Sequence, residues 1–136
     1  PAIGKMAAEL VREELGLQEK ADFCSTRKGI LNPADLTMEE RGELIRRQPA
    51  YGNIICRCEM ISEGEILDAI HRPLGATTMD GVKRRTRAGM GRCQSGFCSP
   101  KTMEILEREL KIRQEKITKN GAGSEMILGR NQDGEI

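Results

Sequence analysis

"GMGRCQSGFCSP", residues 89–100, sets two cysteines, Cys93 and Cys98, among three glycines and ends in Ser-Pro. Two thiols that close, on so pliant a backbone, suit a disulfide, a zinc ion, a reactive thiol or an iron–sulfur cluster. The choice depends on what else the chain supplies. Upstream stands "IICRCE", with one residue between Cys56 and Cys58 and 34 residues between Cys58 and Cys93. In an extended segment, side chains at i and i+2 point to one side. Cys56 and Cys58 are therefore expected to offer two sulfurs to one object, with Arg57 turned away.

Composition narrows the options. Aromatic residues make up 2% of the 136 residues and charged residues 32%, so a large dry core is not expected. Small domains with thin cores lean on a disulfide, a metal or a partner surface. The net charge of +1 gives no bulk attraction to nucleic acid or membrane. No apolar run approaches the roughly 18 residues that suggest a membrane span, and the amphipathic, quickly charged start is unlike a signal peptide. Five cysteines, an odd number, without a secretion signal point to a reducing, cytoplasmic setting in which paired thiols bind metal. The start on Pro1 reads as a fragment of a longer protein.

Two pairs of thiolates suit a [2Fe–2S] cluster with two cysteines on each iron. Structural zinc sites mostly use C-x2–4-C knuckles, and C-x-C is a tight bite for one tetrahedral ion. The spacing places the cluster ahead of zinc and leaves both open. An all-thiolate [2Fe–2S] group carries a formal charge of about −2, so it favours N–H donors and helix N-termini. Ser62, four residues after Cys58, and Ser99, directly after Cys98, each mark a helix start. Gly89, Gly91 and Gly96 are expected to permit positive φ and close backbone approach to the sulfurs.

The remaining pattern is mainly α. Ile3, Met6, Ala7, Leu10, Val11 and Leu15 form a helical stripe that stops at Gly16. Residues 17–36 read as irregular, with a turn at Asn32-Pro33. Thr37 with Glu40 and Ser62 with Glu65 are capping boxes, opening one helix that ends before Pro49 and another from about Glu63 to His71. Thr77 or Thr78 caps a helix across "MDGVKRRTRAG". Ser99 as N-cap and Pro100 at N1 start what is expected to be the longest helix, through Met103, Leu106, Leu110 and Ile112. Asn120-Gly121 centres a small hairpin, and the last few residues are expected to fray.

The other candidates are plainer. Cys24 stands alone and reads as a free thiol. His71, the one histidine, reads as structural at a helix end. Lys83, Arg84, Arg85, Arg87 and Arg92 form a dense basic run. A zinc-stapled nucleic-acid helix–turn–helix is the rival reading for it. Near-neutral charge and scarce aromatics count against that reading, and screening of cluster charge or docking to a partner is preferred. No Ser-His-Asp set, HExxH or P-loop is present, and nothing forms a substrate site.

"IICRCE" and "DGVKRRTRAGMGRCQSGFCSP" resemble the bacterioferritin-associated-ferredoxin-like [2Fe–2S] domain. The likeness is to the version found at the C-terminus of FAD-dependent oxidoreductases of the anaerobic glycerol-3-phosphate dehydrogenase-like family. It extends through "PAIG", "RKGI" and "YGNIICRCE", and on through "SPKTMEILEREL" to "ITKNGAGSEMILGR". The resemblance implies that Cys56, Cys58, Cys93 and Cys98 ligate the cluster within a small helix–turn–helix domain. It implies a division into 1–48 (end of the flavin domain plus linker), 49–115 ([2Fe–2S]-binding domain) and 116–136 (C-terminal hairpin or tail). It also implies FAD in a preceding domain; no flavin-binding glycine fingerprint occurs in these residues, so flavin binding is not assigned to them. The implied function is an electron relay from that FAD to an acceptor or partner subunit, with membrane association only through such a subunit. The alternative is a structural zinc-binding docking module without a redox role.

Overall fold

The computed structural model describes residues 1–129. The chain is mainly helical, with one small antiparallel sheet. Its elements are α1 (Ala2–Leu15), α2 (Met38–Arg47), β1 (Ile54–Cys56), β2 (Ile61–Ser62), α3 (Glu63–His71), α4 (Met79–Thr86) and α5 (Ser99–Leu110). Single 3-10 turns lie at Pro33–Asp35, Pro49–Gly52 and Gln114–Lys116. At 14 residues α1 is the longest helix, not α5, which has 12 and ends before Ile112.

The expected starts and stops are largely in place. Gly16 closes α1 in the left-handed conformation. Both capping boxes form: the Thr37 hydroxyl accepts from the Glu40 N–H, and the Ser62 hydroxyl accepts from the Glu65 N–H. In the second box Ser62 and Glu65 are buried, so each backbone group satisfied there removes a desolvation cost. Thr78 caps α4 by accepting from the Gly81 N–H at 2.9 Å. Two further amides of α4, those of Met79 and Asp80, donate to the Thr118 and Lys119 carbonyls across the chain. The C-terminal hairpin is minimal, a single bridge between Thr118 and Glu125. The expected fraying of the last few residues lies outside the described residues.

Every buried residue of the described chain lies between Tyr51 and Ile117. The core is Ile61, Ile66, Ile70, Val82, Met103, Ile105, Leu106 and Ile117, together with Cys56 and Cys98. α3 packs on α4 and α5, and β1–β2 lies along α3. Burying each large aliphatic side chain contributes about 1.5–3 kcal/mol. This small core therefore holds the sheet and three helices around the two buried thiols. By contrast α1 buries nothing, and Ile3, Met6, Leu10, Val11 and Leu15 are all exposed.

Candidate metal centre

Strand β1 delivers the first thiol. Cys56 ends the strand, pairs with Ile61 across the sheet and is 1% exposed. The chain then leaves the extended conformation: residues 57–60 form a turn, and Met60 sits at φ 56°. Cys56 and Cys58 are thus not successive same-side residues of one strand. Cys58 is exposed, and Arg57, expected to face away, lines the same cavity as both thiols.

The second pair comes from the segment after α4. Arg87 ends that helix in the left-handed region and pairs with Glu59 at 2.8 Å, joining this segment to the 57–60 turn. Gly89, at φ 87°, adopts a backbone that side-chain-bearing residues avoid. Its N–H donates to the Cys56 sulfur at 3.5 Å. Gly91 is needed for space: a Cβ there would fall 2.2 Å from the Cβ of Cys58. The loop's other left-handed positions are Gln94 and Ser95, not Gly91 or Gly96. Cys98, 3% exposed, is itself the residue capping α5, one place earlier than the expected Ser99. The Ser99 hydroxyl donates instead to the Ser95 carbonyl at 2.8 Å.

All four thiols line one cavity of about 800 Å³, between β1, the 93–98 loop and α5. They differ in depth: Cys56 and Cys98 are buried, Cys58 is exposed and Cys93 lies between. Contact with Cys58, aided by the N–H groups of Phe97, Ser95 and Gly96, holds the Cys93 thiol below its ordinary range. Burial pushes Cys98 up to about 11, and negative charge on Cys56 acts in the same direction. An inner and an outer pair of thiols, ringed by amide donors, is a donor set that fits a [2Fe–2S] group. No three His, Cys, Asp or Glu side chains among the described residues converge on a single-ion position.

The charged residues at the cavity were not those the basic run suggested. Arg57, Lys101 and Arg108 line it, with Glu63 and Glu104. Lys101 pairs with Glu104 at 2.7 Å, and Arg108 with Glu63 at 2.6 Å. Glu63 also accepts from the Asn53 amide at 2.8 Å, and the two partners hold its carboxyl below the usual range. Three of the five side chains in the basic run are engaged elsewhere: Arg84 pairs with Asp80, Arg87 with Glu59, and Arg85 donates to the Leu74 carbonyl, whereas Arg92 joins no ion pair among the described residues. Of the two expected helix starts, only α5 begins on one of the four thiols. The first amides of α3 are taken by its own capping box and by the Asn53 carbonyl. Cys24 is exposed and apart from the others, its thiol donating to the Thr26 carbonyl at 3.1 Å. His71 contacts Glu109 at 2.7 Å at the end of α3.

Comparison with known proteins agrees with this geometry. Residues 54–108 match the family described as the BFD-like [2Fe-2S] binding domain. This segment is a BFD-like [2Fe-2S] binding domain. The match opens on β1 and closes within α5, so it encloses all four thiols and excludes Cys24. A glycerol 3-phosphate dehydrogenase of Caloramator mitchellensis is 45% identical over 130 residues, 95% of this chain and 27% of that protein. An anaerobic glycerol-3-phosphate dehydrogenase subunit of Escherichia coli is 33% identical over 104 residues, 68% of this chain and 18% of that protein. An opine oxidase subunit of Rhizobium meliloti is 38% identical over 60 residues, 43% of this chain and 11% of that protein. The chain spans about a quarter or less of the length of these relatives. No solved structure matches. No helix among the described residues is long and apolar enough to cross a membrane.

Proposed function

We propose that this chain is the electron-relay portion of an FAD-dependent dehydrogenase of the glycerol-3-phosphate dehydrogenase type, and that Cys56, Cys58, Cys93 and Cys98 hold its [2Fe–2S] cluster. The observation that carries the reading is the meeting of these four thiols in one cavity of a BFD-like [2Fe-2S] binding domain. When bound, such a cluster exchanges electrons singly, which suits a link between a two-electron flavin and an acceptor. The protein's own part is to hold and to bias. Buried Cys56 and Cys98 keep water from one side, and the amides of Gly89, Ser95, Gly96 and Phe97 offset thiolate charge. FAD and the substrate belong, on this reading, to a domain that precedes Pro1. The exposed apolar stripe of α1 packs on that domain, residues 1–48 are its end and linker, and the relay proper spans 49–115.

The test is direct. Anaerobically purified and reconstituted chain is expected to show visible charge-transfer bands and, after dithionite, the EPR signal of a reduced [2Fe–2S] centre. Iron and sulfide should be equimolar. Colourless, zinc-loaded protein that cannot be reconstituted would replace this reading with a structural zinc-binding docking module. Cys24→Ser should keep the full iron content, and its loss there would mean that the ligand set is wrong.

A further inference from the structure

The two thiol pairs are unlike in a way that family membership does not explain. Cys56 and Cys98 are buried, and the residues before them are apolar, Ile55 and Phe97. Cys58 is exposed and Cys93 half-exposed, and each is directly preceded by an exposed arginine, Arg57 or Arg92. Neither arginine joins an ion pair among the described residues, whereas Lys101 and Arg108, which line the cavity together with Arg57, are paired. The close approach of Gly91 to Cys58 brings the Arg92-Cys93 segment against the Arg57-Cys58 turn. The Gly89 N–H reaches the buried Cys56 sulfur at 3.5 Å, so the asymmetry between the pairs is one of exposure and positive charge. Phe97, 86% exposed, stands at the same mouth.

Resting on the proposed function, we infer that the electron is held on the outer side, at the iron bound by Cys58 and Cys93, and that Arg57 and Arg92 are the positioning residues that keep it there. An electron added to a [2Fe–2S] group resides on one of its two irons, so the surroundings decide which. Extra negative charge is least costly where water, positive side chains and N–H donors are nearest. It is most costly beside a desolvated thiolate pair. Water and the unpaired Arg57 and Arg92 favour the Cys58 and Cys93 side, and they outweigh the single long N–H contact to Cys56. Electron exchange with a partner then proceeds through the face bearing Arg57, Arg92 and Phe97, not through the α3–α4 side of the domain.

The reconstituted chain, enriched in a Mössbauer-active iron isotope and reduced with dithionite, tests this. Cys93→Ser is expected to alter the ferrous doublet and leave the ferric one, and Cys98→Ser to do the reverse. A ferrous doublet altered by Cys98→Ser and untouched by Cys93→Ser would overturn the inference. Should the buried Cys98→Ser variant fail to hold iron, the arginines decide. Arg57→Gln with Arg92→Gln should lower the midpoint potential in a redox titration, while Arg46→Gln with Arg47→Gln on α2 should leave it in place. Equal shifts in the two double variants, or none in the first, would overturn it. Failure of the unaltered chain to assemble any [2Fe–2S] centre would instead sink the proposed function itself.

Discussion

Helices α1 and α5 carry nearly the same amphipathic stripe, yet α5 buries Thr102, Met103, Ile105 and Leu106 while α1 buries none of its residues. The difference lies in what each helix begins on. α5 starts at Cys98, whose carbonyl accepts from both the backbone and the hydroxyl of Thr102, so its first turn is built into the thiol cage. α1 starts on Pro1 with no side-chain cap and meets no core. Periodicity therefore identifies the face that seeks cover and leaves open what covers it. Truncation should separate the two helices sharply. Leu106→Ala is expected to destabilise the chain by about 2–5 kcal/mol in denaturant melts, because Leu106 is fully buried. Leu10→Ala should change it by less than about 0.5 kcal/mol. A large effect at Leu10 would mean that α1 finds a surface to pack against within this chain.

The second contrast is between a glycine with room and one without. A Cβ at Gly4 in α1 would meet nothing within 4 Å, whereas one at Gly91 would collide with Cys58. Gly91→Ala is expected to cost about 1–3 kcal/mol as backbone and thiol are forced apart. Because the atom displaced belongs to a proposed ligand, iron content should fall along with stability. Gly4→Ala should be neutral or slightly stabilising, since alanine favours the helix by about 1 kcal/mol over glycine. Iron retained in full by Gly91→Ala would show that Cys58 is free to move aside.

Local chemistry made much of this legible. The caps at Thr37, Ser62 and Thr78 and the stop at Gly16 all rest on interactions within a few residues, and the long-range meeting of "CRC" with the glycine loop was legible only because both carry thiols. What stayed hidden depends on contacts across the chain. The left-handed turn at Met60 takes Cys58 off the strand, and no residue near it announces that. Lys101 and Arg108 look like ordinary surface positions of α5 until β1 is laid beside that helix to form the cavity. The basic run was legible only as a density of charge: the pairing of Arg84 with Asp80 and of Arg87 with Glu59, and the hydrogen bond from Arg85 to the Leu74 carbonyl, are not visible in sequence. The cap of α5 shifted by one residue because the Ser99 hydroxyl is drawn back to the Ser95 carbonyl.

The smaller predictions compare the same motif in the two halves. Thr37–Glu40 and Ser62–Glu65 are both complete capping boxes, but the first is exposed and the second buried. Ser62→Ala should cost about 1–2 kcal/mol, because it leaves the buried Glu65 carboxylate and amide short of a partner. Thr37→Ala, where water replaces the lost hydroxyl, should cost about 0.5–1 kcal/mol. Equal costs would show that burial adds nothing to the second box.

The pH response should be smaller still. The Asn53 amide and the Arg108 guanidinium hold Glu63 below its ordinary range, so its folded state binds the proton more weakly than the unfolded chain does. The resulting stabilisation is fully present above the unfolded value of about 4.3 and is lost as pH falls through the lower, folded one. Arg108 is half-exposed, and solvent screening limits the contribution to about 0.5 kcal/mol. Stability of the chain at pH 7 minus that at pH 3.5 should therefore be slightly smaller in Glu63→Gln than in the unaltered protein. An unchanged or larger difference would mean that the Asn53–Glu63–Arg108 bridge between the approach to β1, α3 and α5 does not hold in solution.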